Sequence, residues 1–284
     1  MNRNSFATIA LVLPFVLALA GPAGAKEGHA IERQHWAFSG IRGQFDKAQL
    51  QRGFEIYKGV CSGCHGLKRV NFRNLVEKGG PELPEAAVKE IAAAWLNGIP
   101  EANDKGEIAD AKGNVIRRAP KLPDPILGPY LNDAAARANQ NGALPPDLSV
   151  IAKARGVENH SDWWRHVFLD MPGDVLVGYQ EGGPDYIYAV LTGYSDHPPE
   201  GFKLADGMSY NAAFPGNQIA MPQPLASDSS LDQNARDVAA FLAWAADPSH
   251  DQRKRIGWQV MLYLLVTTGL LYVGKKRIWS RLDA

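Results

Sequence analysis

The sequence predicts a mainly α chain: an exported head of short helices and long irregular segments, held by one C-terminal transmembrane helix. Three observations predict it. Apolar residues recur at helical spacing in 46–59 and again in 232–246. Between them, Gly and Pro punctuate the chain at Gly79-Gly80-Pro81, Gly182-Gly183-Pro184, Pro198-Pro199 and Pro215-Gly216, and strand-like alternation is scarce. Near the end, Ile256 to Val273 carries no charged residue. As a helix that run reaches ~27 Å, just enough to cross a bilayer.

Residues 1–25 read as a cleaved signal peptide. Arg3 is its positive start, Ala7–Ala20 its apolar stretch broken only by Pro14, and Ala23-Gly24-Ala25 fits the small-x-small cleavage rule. The apolar stretch reaches only ~21 Å as a helix, short of a ~30 Å hydrocarbon core, which argues against an uncleaved anchor. The head, 26–252, is then exported. Asp46 is the expected N-cap of a helix through about Gly59, on which Leu50, Phe54 and Tyr57 form one apolar stripe. Ala86–Leu96, Ser161–Leu169 and Tyr186–Thr192 are further short helices. Asp232–Ala246 is the expected last helix of the head, with Ala235, Val238, Phe241, Leu242 and Ala245 on one face and Pro248 to stop it. The anchor occupies 253–274. Arg253-Lys254-Arg255 and Lys275-Lys276-Arg277 flank its apolar run, and Trp258, Tyr272 and Trp279 sit where interfacial aromatics belong. Positive charge on both sides leaves the positive-inside rule undecided. The leader orients the chain instead, leaving 275–284 as a short cytoplasmic tail.

Directly after the first helix comes Cys61-Ser62-Gly63-Cys64-His65. C-x-x-C-H is the attachment signature of a c-type haem. The two thiols form thioether bonds along one porphyrin edge, and the adjacent histidine supplies the proximal imidazole. Small Ser62 and Gly63 let the backbone lie close to the macrocycle. A zinc site needs about four ligands, usually with a second Cys/His pair, and only two cysteines exist. A thioredoxin-like dithiol belongs beside a βαβ pattern, and none is visible. The expected fold is therefore a class I c-type cytochrome-like haem domain with long irregular insertions, its first and last helices crossing, and one covalent haem c.

A methionine thioether in the sixth position raises the potential and closes the iron to small ligands. Met1 lies in the leader and Met261 in the anchor, which leaves Met171, Met208 and Met221. Met221, in Ala220-Met221-Pro222-Gln223-Pro224, has prolines to stiffen its loop. Met171 also precedes a proline, so the local pattern does not separate the two. Met171 and Met208 are expected to be core fillers. His29, His35, His160, His166, His197 and His250 are rival ligands.

The chain balances 30 basic against 30 acidic residues, yet 26–252 holds 22 and 29, a net −7. Such a head suits a basic soluble partner and repels nucleic acid; ordinary solubility accounts for the charge equally well.

More specific strings are Trp36-Ala37-Phe38-Ser39-Gly40, Phe45-Asp46, Asn139 to Ser149, Tyr186 to Tyr194, Phe214 to Pro222, and Phe241 to Pro248 running through Arg253-Lys254-Arg255. With these and the haem motif, nearly all of the mature chain resembles the cytochrome c1 family, bacterial type, the haem c subunit of the cytochrome bc1 complex (complex III). The resemblance implies Met221 as the distal haem ligand opposite His65, and Arg155 as the charge-assisted partner of a haem propionate. It sets Tyr186 and Asn141 among haem-pocket residues and Pro145-Pro146 in a loop against the haem. It implies an electron-transfer subunit of ubiquinol–cytochrome c oxidoreductase. Electrons would come from the Rieske iron–sulfur protein and go to a soluble cytochrome c, with cytochrome b as membrane neighbour in a dimeric complex. The haem domain would stand on the periplasmic side of a bacterial inner membrane. There are two departures. Both cysteines are consumed by haem, so a disulfide that braces the methionine loop in some bacterial relatives is missing. Residues 156–183 look inserted relative to mitochondrial forms, with Trp163-Trp164 as core or as contact surface. Two alternatives stay open: a membrane-anchored c-type donor to a terminal oxidase or denitrification enzyme, and a haem enzyme or gas sensor with an open iron site.

Overall fold

A computed structural model describes residues 31–95, 98–156, 162–177 and 182–280. The expected leader lies outside the described residues, as do Leu96 and Ser161 at the ends of two expected helices. The first helix, α1 (Lys47–Gly59), starts where the sequence predicts. The Asp46 carboxylate accepts the Gln49 N–H at 2.6 Å, and Leu50, Gly53, Phe54 and Tyr57 are buried. Those residues meet the last helix of the head, α8 (Leu231–Ala246), whose stretch from Asp237 to Ala245 is buried throughout. Gly53 permits the crossing: a Cβ there would lie 2.1 Å from the Asp237 carbonyl oxygen and 2.7 Å from Phe241 Cβ. Phe241 then packs between Phe54 and Tyr57, with ring centroids 5.7 Å from each. Arg52 closes the crossing, bonding the buried Asp237 carboxylate through Nε at 2.7 Å and Nη2 at 3.0 Å.

The chain between these two helices is irregular, as its Gly and Pro content predicts, and builds the walls of the site. Strand Leu67–Asn71 pairs antiparallel with Pro125–Ile126. Helix α2 (Glu85–Ala93) ends three residues before the expected Leu96. The reason is Trp95, which leaves the helix to stack on Tyr57 and to donate its Nε1–H to the Leu127 carbonyl at 3.1 Å. A hairpin pairs Ile99–Pro100 with Arg117–Arg118. Helix α3 (Asp133–Asn139) is capped by Asn132, and α4 (Ile151–Ala154) is a single turn. The helix expected at Ser161–Leu169 runs further. It begins as α5 (Trp163–Arg165), passes through a widened turn over His166–Asp170, and continues as α6 (Met171–Val177). In that turn the Met171 N–H reaches back five residues to the His166 carbonyl, and Pro172 follows. Helix α7 (Gly183–Thr192) starts three residues before the expected Tyr186, with Pro184 in its first turn. Strand Ser209–Tyr210 pairs with Gln218–Ile219.

Three residues after α8, the chain enters α9 (His250–Trp279), 30 residues long with none buried. It is the one helix among the described residues long and apolar enough to cross a membrane. Its first turn is fastened to the head. Lys254 Nζ donates to the carbonyls of Phe38 at 2.7 Å, Gly40 at 2.5 Å and Gly43 at 3.3 Å. Asp247, which ends α8, takes Lys153 Nζ at 3.1 Å and also pairs with Arg253. Burial raises the Asp247 pKa, but the bonds from Lys153 and Arg253 outweigh it and hold the carboxyl below its usual range.

Candidate haem-binding site

Helix α1 delivers Val60 straight into a tight turn over Cys61–Gly63. The Cys61 carbonyl accepts both the Cys64 N–H at 3.1 Å and the His65 N–H at 2.9 Å. Cys61, Cys64 and His65 are thereby held on one turn, as the motif requires. Burial pushes the Cys61 thiol up to about 12, so it stands protonated at neutral pH rather than as a thiolate metal ligand.

His65 is the best-defined side chain of the site. Its Nδ1 lies 2.7 Å from the Pro146 carbonyl oxygen. A carbonyl only accepts, so Nδ1 carries the proton and Nε2 keeps its lone pair. Burial lowers the imidazole pKa, partly offset by the Pro146 carbonyl and by Asp147, so the ring is neutral at pH 7. A neutral ring with its tautomer set this way is the form that binds a metal through Nε2.

The Pro146 loop is itself tied down. Asp147 accepts the Lys68 N–H at 2.9 Å and the Ser149 N–H at 3.0 Å, Ser149 Oγ accepts the Arg69 N–H at 3.0 Å, and Leu148 N–H reaches the Gly66 carbonyl at 2.9 Å. Beneath the motif Gly66 and Gly128 pass with no room for side chains. A Cβ on Gly66 would lie 2.6 Å from Gly128 N, and one on Gly128 2.9 Å from Gly66 N. Tyr57 Oη donates to the His65 carbonyl at 3.0 Å, joining the site to the α1–α8 crossing.

The other expected site residues fall in three places. Asn141 sits in a left-handed turn (φ 48°) after α3. Its neighbour Gln140 lies 3.6 Å from Cys64 Sγ and donates to Tyr130 Oη at 2.6 Å. Arg155 is exposed at the end of α4 and acts electrostatically on Tyr186 of α7, whose pKa burial raises and Arg155 lowers in part. Met221 is partly buried on the loop before α8, where its carbonyl accepts Tyr194 Oη at 3.1 Å. These contacts unite Cys61, Cys64, His65 and Pro146, and they fix the loop that carries Met221 rather than its sulfur. Met171 and Met208 are not core fillers: they are 47 % and 37 % exposed, since α6 and the loop at 208 lie on the surface. Gln140, Tyr194 and Asp147 escaped a local reading because each acts on a residue distant in sequence.

Residues 36–282 match the family model described as the Cytochrome C1 family. The chain belongs to the cytochrome c1 family. Cytochrome c1 of Blastochloris viridis is 46% identical over 95% of this chain and 94% of its own length. Cytochrome c1 of Rhodospirillum rubrum is 38% identical over 93% of each chain. The protein named cytochrome b/c1 in Bradyrhizobium diazoefficiens is 39% identical over 96% of this chain, which spans 39% of that longer protein. Membership implies a haem cofactor. The residues present fit one: two thiols and an imidazole share a turn, the imidazole offers Nε2, and paired glycines press backbone against backbone beneath it.

Proposed function

We propose that this chain is the electron-transfer subunit of a ubiquinol–cytochrome c oxidoreductase, relaying electrons from a Rieske iron–sulfur protein to a soluble cytochrome c. The aimed imidazole of His65 beside two thiols, in a cytochrome c1 family chain, carries the reading. Cys61 and Cys64 hold one haem c covalently, and His65 and Met221 ligate its iron. Arg155 pairs with a propionate, while Tyr186, Asn141 and Pro146 line the pocket. When bound, the haem supplies a one-electron iron couple; the protein tunes it through ligation, burial and charge. Pro146 keeps the His65 tautomer fixed, and the Tyr194 bond steadies the Met221 loop. No side chain has to move a proton at the site.

The relatives support a place in a larger assembly. One carries both cytochrome names in a single chain, and one from Candida albicans is named a cytochrome b-c1 complex catalytic subunit. We take cytochrome b as the neighbour of α9 and the complex as dimeric. The chain crosses a bacterial inner membrane once, with 1–25 removed and the head periplasmic. The net −7 of 26–252 steers a basic acceptor, so association slows as salt rises.

The test is purification from native membranes. A pyridine haemochrome spectrum of the c type, co-purification with cytochrome b and quinol oxidation, and a thioether–iron charge-transfer band lost in Met221→Leu support the reading. A haem extracted by acid without breaking carbon–sulfur bonds, or a band that survives Met221→Leu, overturns the corresponding assignment.

A further inference from the structure

The inserted segment 156–183 presents an apolar helix to the outside. Within 163–177, Trp163, Trp164, Val167, Phe168 and Met171 are 74, 49, 46, 67 and 47 % exposed. Leu169, in the same stretch, is 59 % exposed as well, so the apolar exposure is not confined to one narrow stripe. The charges of the segment are paired within the chain: Arg165 Nε lies 3.5 Å from Asp170 Oδ1, and Arg33 Nη1 lies 2.7 Å from Asp174 Oδ1. An exposed apolar patch of this kind marks an interaction surface.

The two tethers of the helix say what covers it. The ends of the insertion meet in a neck, where a Cβ on Gly156 would lie 3.8 Å from Gly183 N. Lys153 and Pro184, on either side of that neck, line a 140 Å³ cavity together with His250, Arg253 and Lys254 of the first turn of α9. Arg253 precedes the uncharged run at Ile256 by three residues, ~4.5 Å of helix. The second tether is Arg33, bound to Asp174; the next residue, Gln34, donates its N–H to Asp185 at 3.1 Å, beside Pro184 again. With α9 across a membrane, both tethers converge at the level of lipid headgroups, where α9 leaves the head. Indole rings are at home in that layer, with an apolar body and a polar N–H.

We propose that the 163–177 helix lies in the headgroup layer of the phospholipid bilayer crossed by α9, with its Trp163, Trp164 and Phe168 side toward the acyl chains. The insertion is a second membrane contact of the head, beside its anchor. The proposal rests on α9 spanning the membrane.

The experiment places benzoylphenylalanine in the full chain in native membranes and reads photo-adducts by mass spectrometry. Controls at Leu265, Leu270 and Leu271 face three directions around α9. Phe168→benzoylphenylalanine is expected to yield phospholipid adducts comparable to the best control, with an unchanged haem spectrum. A protein crosslink at 168, or no adduct there while a control labels lipid, overturns the proposal alone. If all three controls fail to label lipid, the membrane reading of α9 falls, and the proposal with it. Should that variant not accumulate, Trp163→benzoylphenylalanine gives the same reading.

Discussion

Replacing Gly53 by alanine tests whether the α1–α8 crossing sets the stability of the head. The new methyl would sit 2.1 Å from the Asp237 carbonyl oxygen and 2.8 Å from its carbonyl carbon. Both are backbone atoms of a buried helix, so no side-chain rotation relieves them and the helices must part. Overpacking of this kind costs about 1–3 kcal/mol, and a backbone clash belongs at the upper end. Parting the helices also loosens the Arg52–Asp237 pair and the Phe241 contacts with Phe54 and Tyr57. Alanine returns at most ~1 kcal/mol in helix propensity, leaving Gly53→Ala destabilised by about 2 kcal/mol. Gly59, the last residue of the same helix, has nothing within 4 Å of its Cβ position. Gly59→Ala is therefore expected to be neutral or up to ~1 kcal/mol stabilising. The two variants should differ by about 2–3 kcal/mol, or roughly 4–12 °C in Tm for a head of this size. Thermal unfolding of the holoprotein followed by circular dichroism and haem absorbance checks it. Equal Tm for the two alanine variants would refute the close crossing.

Other perturbations follow from the same contacts. Asp147→Ala releases the Lys68 and Ser149 amides from the loop that aims His65, and is expected to cost about 1–3 kcal/mol in denaturant titrations. Trp36→Phe removes the 2.7 Å donor to buried Asp185; an unfolding midpoint lower by about 1–3 kcal/mol is expected, read by fluorescence-independent methods such as circular dichroism. The Asp247 pKa is lower folded than unfolded, so its stabilisation is full above the unfolded carboxylate range near pH ~4 and is lost as pH falls through the folded value. Asp247→Asn should therefore lower stability at neutral pH and flatten the acid limb of a stability–pH profile; an unchanged acid limb counts against the clamp.

Local features of the sequence were legible and distant ones were not. Asp46, the Leu50–Phe54–Tyr57 stripe and the final helix depend on neighbours within a turn or two, and each forms as expected. The Cys61–His65 motif likewise announces its chemistry by spacing alone. What aims His65 comes from 81 residues away, and what reaches Cys64 comes from 76. No periodicity encodes such pairs. Proline 146 could be placed in the loop by resemblance, but its carbonyl, not its ring, makes the contact. Propensity carries the expected α2 on to Leu96 because it does not show Trp95 leaving for Tyr57 and Leu127. Met171 and Met208 read as core from the sequence because an apolar side chain looks the same whether its segment is covered or bare.

Only Asp247, Pro248 and Ser249 separate the closing helix of the head from α9. With Lys254 grasped by three carbonyls and Asp247 gripped by Lys153 and Arg253, there is no slack in which to swivel. In the proposed function, a haem mounted on so stiff a post would keep a constant height above the lipid, and whatever exchanges electrons with it would have to do the travelling.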